Sequence, residues 1–187
     1  MFMDLSSYQS LIRVIENVPI VKSELKAALG KDLGAKEFLH GEKVMDFPSN
    51  EWAWDSAINI ENVGYDLRDG NYSIFTLFKL GHDLENIDEH FKETLSLLRG
   101  VEGLQYAAFS ALGPGAHLKE HVHSRRHFIC HVLLSDLGSG KCEMICNREI
   151  RDLKEPGDAA VFDYSLPHET TNFSSKTRVN LMIDFKP

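Results

Sequence analysis

The chain has 187 residues, 43% hydrophobic and 26% charged, with a formal net charge of −8. That length fits one domain with a substantial core. The acidic balance excludes a general binder of nucleic acid or anionic membrane, which needs a basic footprint, and no run approaches the ~18 apolar residues needed to span a bilayer.

The opening MFMDLSSYQS has neither a basic n-region nor an apolar core, so no secretory signal is expected. Three cysteines, Cys130, Cys142 and Cys146, suit free thiols in a reducing compartment. A cytoplasmic location is therefore expected. Cys142 and Cys146 stand at C-x3-C spacing, but no second pair completes a zinc knuckle. All three read as small buried hydrophobes in strands.

Residues 5–31 read as a helical opening. Leu11, Val14, Ile15 and Val18 keep helical spacing until Pro19 interrupts, and Val21, Leu25, Ala28 and Leu29 resume it. Gly30 and Gly34 punctuate, and an aromatic piece from Phe47 to Asp55, with Trp52 and Trp54, closes a preface over residues 1–70. Packing of this preface on the main domain is the expected role of its aromatics, with a lid or substrate wall as the alternative. After the turn Asp69-Gly70-Asn71, the run YSIFTLFKLG alternates as a strand. Leu84 to Leu98 then reads as one helix with Ile87, Phe91, Leu95 and Leu98 on its apolar stripe.

From Leu104 the pattern becomes short strands with Gly and Pro turns: LQYAAFSAL, AHLKEHV, HFICHVLLS, KCEMIC, AAVFDY and RVNLMIDF. Such regular spacing favours an all-β sandwich or barrel. In the last strand Arg178, Asn180, Met182 and Asp184 share one face, while Val179, Leu181, Ile183 and Phe185 share the other. The chain is expected to form a single unit of residues 1–187, with the β region over 71–187.

Chemistry concentrates between Ser110 and His131, which holds His117, His121, His123, His127 and His131. All five are at odd positions, so those within one strand should share a face. His121 and His123 form an H-x-H, a spacing that lets two imidazoles of one strand reach one metal ion, histidine being the commonest metal ligand. A histidine-rich surface hairpin or a hydrogen-bonded histidine network would also account for the clustering. Downstream, EPGDAAVFDYSLPHE supplies His168 after a strand and turn, a second candidate ligand. Arg178, ten residues later, opens the last strand as either a rim salt bridge or a two-point anion receptor.

Taken together these residues resemble the aspartyl/asparaginyl β-hydroxylase family of iron(II)- and 2-oxoglutarate-dependent oxygenases. The likeness runs from Tyr72 to Pro187 and is densest in FSALGPGAHLKEH, FDYSLPHE and SKTR. It implies a mainly β fold, a double-stranded β-helix of the cupin-like jelly-roll type with flanking helices. The family's P-G-x-H-x-x-x-H pattern places the first iron ligand on His121, and its F-D-x-S-x-x-H-E pattern places the second on His168. The arginine for the distal carboxylate of 2-oxoglutarate matches Arg178, its assisting serine Ser110, and the histidine near the proximal carboxylate His131. The resemblance thus implies Fe(II) as cofactor, with 2-oxoglutarate and O2 as co-substrates.

Two positions depart from the family. His123 stands where the vertebrate-type enzymes have a small non-ligand residue, leaving three roles open: third ligand, contact to substrate or bound water, or bystander. Ile129 stands where the family has a substrate-binding arginine, so Arg125 or Arg126 is the candidate for that anion. The reading that follows is a dioxygenase hydroxylating an amino acid, whether free, peptide-borne or carrier-bound, at its β-carbon. The alternatives are a cupin-like metalloenzyme using His121, His123 and His168 without 2-oxoglutarate, and a non-catalytic module binding a small acid.

Overall fold

The computed structural model describes residues 1–28, 36–38, 42–44, 68–69, 72–81, 87–123 and 126–186. The aromatic piece from Phe47 to Asp55, Gly30, Gly34 and Arg125 lie outside the described residues.

Two antiparallel five-stranded sheets form the frame. The major sheet is built from β4 (Tyr72–Lys79), β5 (Leu104–Leu112), β7 (Phe128–Leu133), β10 (Ala159–Asp163) and β12 (Arg178–Phe185), in the order β10-β7-β12-β5-β4. The minor sheet is built from β3 (Arg68–Asp69), β6 (His117–His121), β8 (Cys142–Cys146), β9 (Glu149–Leu153) and β11 (His168–Asn172), in the order β3-β6-β11-β8-β9. From β5 onward the chain passes back and forth between the sheets, the winding of a double-stranded β-helix. A separate pair, β1 (Lys36–Phe38) with β2 (Glu42–Val44), is antiparallel.

Strand alternation sorts the core into two layers. On β12 the outward set Val179, Leu181, Ile183 and Phe185 joins Phe109, Ala111, Cys130 and Val132 beneath the helices. The inward set faces the gap between the sheets, where Met182 packs with Ala108, Leu112, Ile129, Leu133, Met144 and Phe162. All three cysteines are free and buried, as small core residues; burial pushes the Cys130 thiol up to about 12.

The helices cover the outer face of the major sheet. After a 3-10 turn at Leu5–Ser7, α1 (Gln9–Glu16) and α2 (Val18–Ala28) bury Leu11, Val14, Val18, Val21, Leu25 and Ala28 against it. The break falls at Asn17, and Pro19 sits in the first turn of α2, where the missing N–H has no helical acceptor. The single helix expected over Leu84 to Leu98 is instead two, α3 (Ile87–His90) and α4 (Lys92–Arg99), interrupted at Phe91. The reason is tertiary. Glu24 of α2 accepts from the backbone N–H groups of Glu93 and Thr94, both at 2.8 Å, and from the Thr94 hydroxyl at 2.7 Å. Its carboxylate thereby caps α4 with the favourable charge sign for a helix N-terminus. Phe91 itself is fully buried, beside Phe75 and Phe109.

Two local features set the positions of the functional residues. Gly115, at φ +67°, makes the left-handed turn from β5 to β6, and Asn172 ties it down by donating to the carbonyls of Leu112 and Gly113. The second is a bulge between β6 and β11: His168 pairs with His121, but Thr170 pairs with Leu118, so β6 carries one extra residue.

Candidate metal centre

Three imidazoles converge at one end of the gap between the sheets. His121 closes β6 and His168 opens β11 directly opposite, as a register pair. Their rings lie 4.3 Å apart, centroid to centroid. His123 follows two residues beyond the end of β6, and its ligand-capable nitrogen lies within 4.8 Å of those of His121 and His168, each within the same distance of the others.

Orientation is supplied by the backbone. His121 Nδ1 lies 2.7 Å from the Lys119 carbonyl, and His168 Nδ1 lies 2.7 Å from the Leu166 carbonyl. A carbonyl only accepts, so in both rings Nδ1 carries the proton and donates. Nε2 is left as the lone-pair nitrogen, the arrangement that fixes a ligating histidine's tautomer. Burial holds His121 below the ordinary imidazole value, against the Lys119 carbonyl, which acts the other way. His168 is pushed down to about 4, by burial first and by His121 second. Both rings are thus neutral near pH 7, the state a metal requires.

The expectation that odd-numbered histidines share a face fails for His117. The bulge shifts the alternation of β6 by one residue, so Leu118 lines the interior with His121. His117 turns to the other side of the sheet and pairs with Glu169 at 2.9 Å. The H-x-H also does not lie on one strand, since β6 ends at His121. His127 is buried beside Asp184, Nδ1 to Oδ1 2.8 Å, away from the cluster.

Behind the histidines is a cavity of about 440 Å3, its open mouth included, with Tyr72, Ile74, Leu118, Met144 and Met182 in its walls. His121, His131, Tyr164, His168, Glu169, Thr170 and Arg178 supply its polar lining. Arg178 is 1% exposed. Its Nη1 donates to Thr170 Oγ1 at 2.7 Å and lies 3.3 Å from Cys142 Sγ and 3.8 Å from Met144 Sδ. Thr170 in turn donates to the Glu143 carbonyl. Among the described residues no carboxylate pairs with Arg178. Its Nε is buried without a partner, as are Ser110 Oγ and Asn180 Oδ1 on adjacent strands, where Ser110 and Asn180 are register partners. With Nη1 occupied, the guanidinium offers its side-on edge, Nε with Nη2, the fork that takes a carboxylate through two parallel bonds.

His131 lies on the same floor, its Nδ1 3.4 Å from Asn180 Nδ2 and its ring parallel to Phe162. Burial, then Arg178, then His168 and His121 hold it well below the ordinary value. It is therefore a neutral hydrogen-bonding group facing the cavity.

The donor set fits a metal ion with an anion beside it. Oriented imidazole nitrogens suit zinc, copper, iron or nickel, and an unpaired buried guanidinium calls for an anion. Of the residues expected at the site, the structure gathers His121, His123, His168, His131, Arg178 and Ser110 about one interior. Arg126 is exposed and does not line the cavity; Arg125 lies outside the described residues. Sequence reasoning missed Thr170, which alternation from His168 would have placed inward, and Tyr164, whose ring stacks on His123 at 3.7 Å with planes 13° apart.

Residues 16–187 match the family model described as aspartyl/asparaginyl beta-hydroxylase. The chain belongs to this family. A curated relative of this chain is an ornithine lipid ester-linked acyl 2-hydroxylase from Rhizobium tropici, 28% identical over 137 residues, covering 70% of this chain and 46% of the relative. The chain thus spans under half the length of that relative. Similar solved structures include a predicted oxalate decarboxylase from Thermotoga maritima, with TM-score 0.45, 15% identity, and coverage of 64% of this chain and 84% of that one. Another is a Cupin_2 domain of an XRE family transcriptional regulator from Enterobacter cloacae, with TM-score 0.42, 25% identity, and coverage of 62% and 97%. No helix among the described residues is long and apolar enough to cross a membrane.

Proposed function

We propose that this hydroxylase-family protein is an Fe(II)- and 2-oxoglutarate-dependent dioxygenase. The observation that carries the reading is Arg178, a buried guanidinium with no carboxylate partner among the described residues, on the same cavity as His121 and His168. His121 and His168 hold the iron through Nε2. When bound, iron with 2-oxoglutarate and O2 supplies the oxidising chemistry that hydroxylates a C–H bond, with succinate and CO2 as co-products.

The chain's own residues bind, orient and exclude water. The side-on edge of Arg178 grips the distal carboxylate, with the Ser110 hydroxyl beside it, and Thr170 keeps the guanidinium from turning. His131, held neutral, offers a hydrogen bond toward the proximal carboxylate. The apolar walls from Tyr72, Ile74, Leu118, Met144 and Met182 keep the cavity dry, which strengthens each of these contacts.

The substrate is proposed as an amino acid, free, peptide-borne or carrier-bound, hydroxylated at the β-carbon, with no nucleic-acid or membrane partner, in the cytoplasm. A second substrate reading, an acyl chain, is favoured by Ile129. It stands at the family's substrate-arginine position and is buried at 1% exposure among apolar neighbours, and the Rhizobium tropici relative is named for an acyl 2-hydroxylation. The test is anaerobic addition of Fe(II) and 2-oxoglutarate. The reading expects a weak visible charge-transfer band that is absent without either component. A three-histidine cupin without 2-oxoglutarate gives no such band. Succinate release on adding candidate amino acids or acyl substrates then separates an enzyme from a binding module.

A further inference from the structure

His123 departs from the family pattern, and its surroundings say what it does there. Its backbone N–H donates to the Tyr164 carbonyl at 3.4 Å, carrying the chain on from β6 beside the loop after β10. Its ring lies flat on the Tyr164 ring at 3.7 Å and stands 5.1 Å from His121 and 5.4 Å from His168, centroid to centroid. An imidazole turned out to solvent needs no such stack. Here the ring is held by its neighbour on one side and faces the other two histidines.

The three ligand-capable nitrogens lie within 4.8 Å of one another. Ligands at ~2.1 Å from one ion stand ~3 Å apart, so closing around a metal takes less than about 1 Å of movement from each ring. Among the described residues no carboxylate joins the three imidazoles: Glu169 pairs with His117, and Asp184 faces His127.

We infer that His123 is the third protein ligand, giving a metal centre of three neutral imidazoles with no carboxylate from the described residues, and that Tyr164 is the positioning residue that holds His123 in place. This rests on the reading of a metal at His121 and His168. Its consequence is electrostatic. Neutral donors leave the ion's full double charge in the cavity, beside the guanidinium of Arg178. A dianion such as 2-oxoglutarate then supplies the compensation that a ligating carboxylate would have given. Metal and dianion therefore strengthen each other's binding, by the same factor in both directions.

The experiment is a titration of the metal-free, full chain with Co(II), followed by visible absorption and equilibrium dialysis. It compares wild type, His121→Ala, His123→Ala, His123→Asp, Tyr164→Phe and Tyr164→Leu, with folding checked by circular dichroism. His123→Ala is expected to weaken Co(II) binding about 100-fold and to change the ligand-field bands, since even an outer-shell partner is worth 10–100-fold. Tyr164→Phe keeps the stack and the affinity, whereas Tyr164→Leu weakens binding about tenfold. His123→Asp retains Co(II), but the gain in 2-oxoglutarate affinity on loading the metal falls about tenfold or more, because the ion's charge is already partly neutralised. Affinity and spectrum unchanged in His123→Ala, with His121→Ala losing the metal, overturns the inference and leaves the two-histidine reading standing. A wild-type chain that takes up no Co(II) overturns both. Should His123→Ala fail to fold, an undiminished metal-dependent gain in His123→Asp overturns the inference by itself.

Discussion

Replacing Arg178 with methionine separates a binding arginine from a structural one. The guanidinium is 1% exposed and its contacts are a threonine hydroxyl and two sulfur atoms, with no carboxylate among the described residues. A hydrogen bond to a charged group is worth about 1.5–3 kcal/mol, so the two bonds of a side-on carboxylate amount to about 3–6 kcal/mol. At about 1.4 kcal/mol per tenfold, Arg178→Met should weaken 2-oxoglutarate by about 100-fold or more. The ligand-free protein should behave oppositely, since exchanging an uncompensated buried charge for an apolar side chain of similar length is often neutral or stabilising. Calorimetric titration of the anaerobic, metal-loaded protein reads the first effect, and the thermal midpoint with and without 2-oxoglutarate reads both. Undiminished affinity would refute the assignment. So would a ligand-free variant destabilised by several kcal/mol, which would show a structural ion pair.

Other outcomes follow from the same geometry. Thr170→Val releases Nη1 and should weaken 2-oxoglutarate about tenfold, with Thr170→Ser restoring it, as measured by the same titration. The folded-state values of His121, His131 and His168 are depressed, so between the unfolded imidazole value of ~6.5 and about 4 the unfolded chain binds more protons. The metal-free protein should therefore lose stability as pH falls through that window, by roughly 3 kcal/mol for His168 alone, and urea midpoints from pH 7 to pH 4 report it. Cys130, Cys142 and Cys146 are buried, so a thiol reagent should label none of them in native protein and all three in denaturant. Rapid native labelling of Cys130 would contradict the core packing.

Much of the fold was legible because β strands write their two faces into the sequence. The alternation of Arg178, Asn180, Met182 and Asp184 with Val179, Leu181, Ile183 and Phe185 separates the two faces of β12; which of them meets the helices and which the gap between the sheets is set by the fold. The candidate ligands were legible through spacing and family likeness together, and the structure brings His121 and His168 face to face as neighbours in register. What escaped was set by contacts distant in sequence. The bulge that turns His117 away depends on how β6 and β11 align, and an even count along β6 gives no sign of it. The break at Phe91 depends on a carboxylate from α2, far up the chain. Thr170 and Asn180 look ordinary as letters and acquire a role only beside Arg178, Ser110 and His131.

Everything above depends on one ion being shared by side chains from β6 and β11. Iron content of folded protein after reconstitution and desalting, measured for wild type, His121→Ala and His168→Ala, tests this most directly. The account predicts one iron per wild-type chain and loss of it in both variants, with their secondary structure unchanged. Retention of a full equivalent by either variant would contradict it.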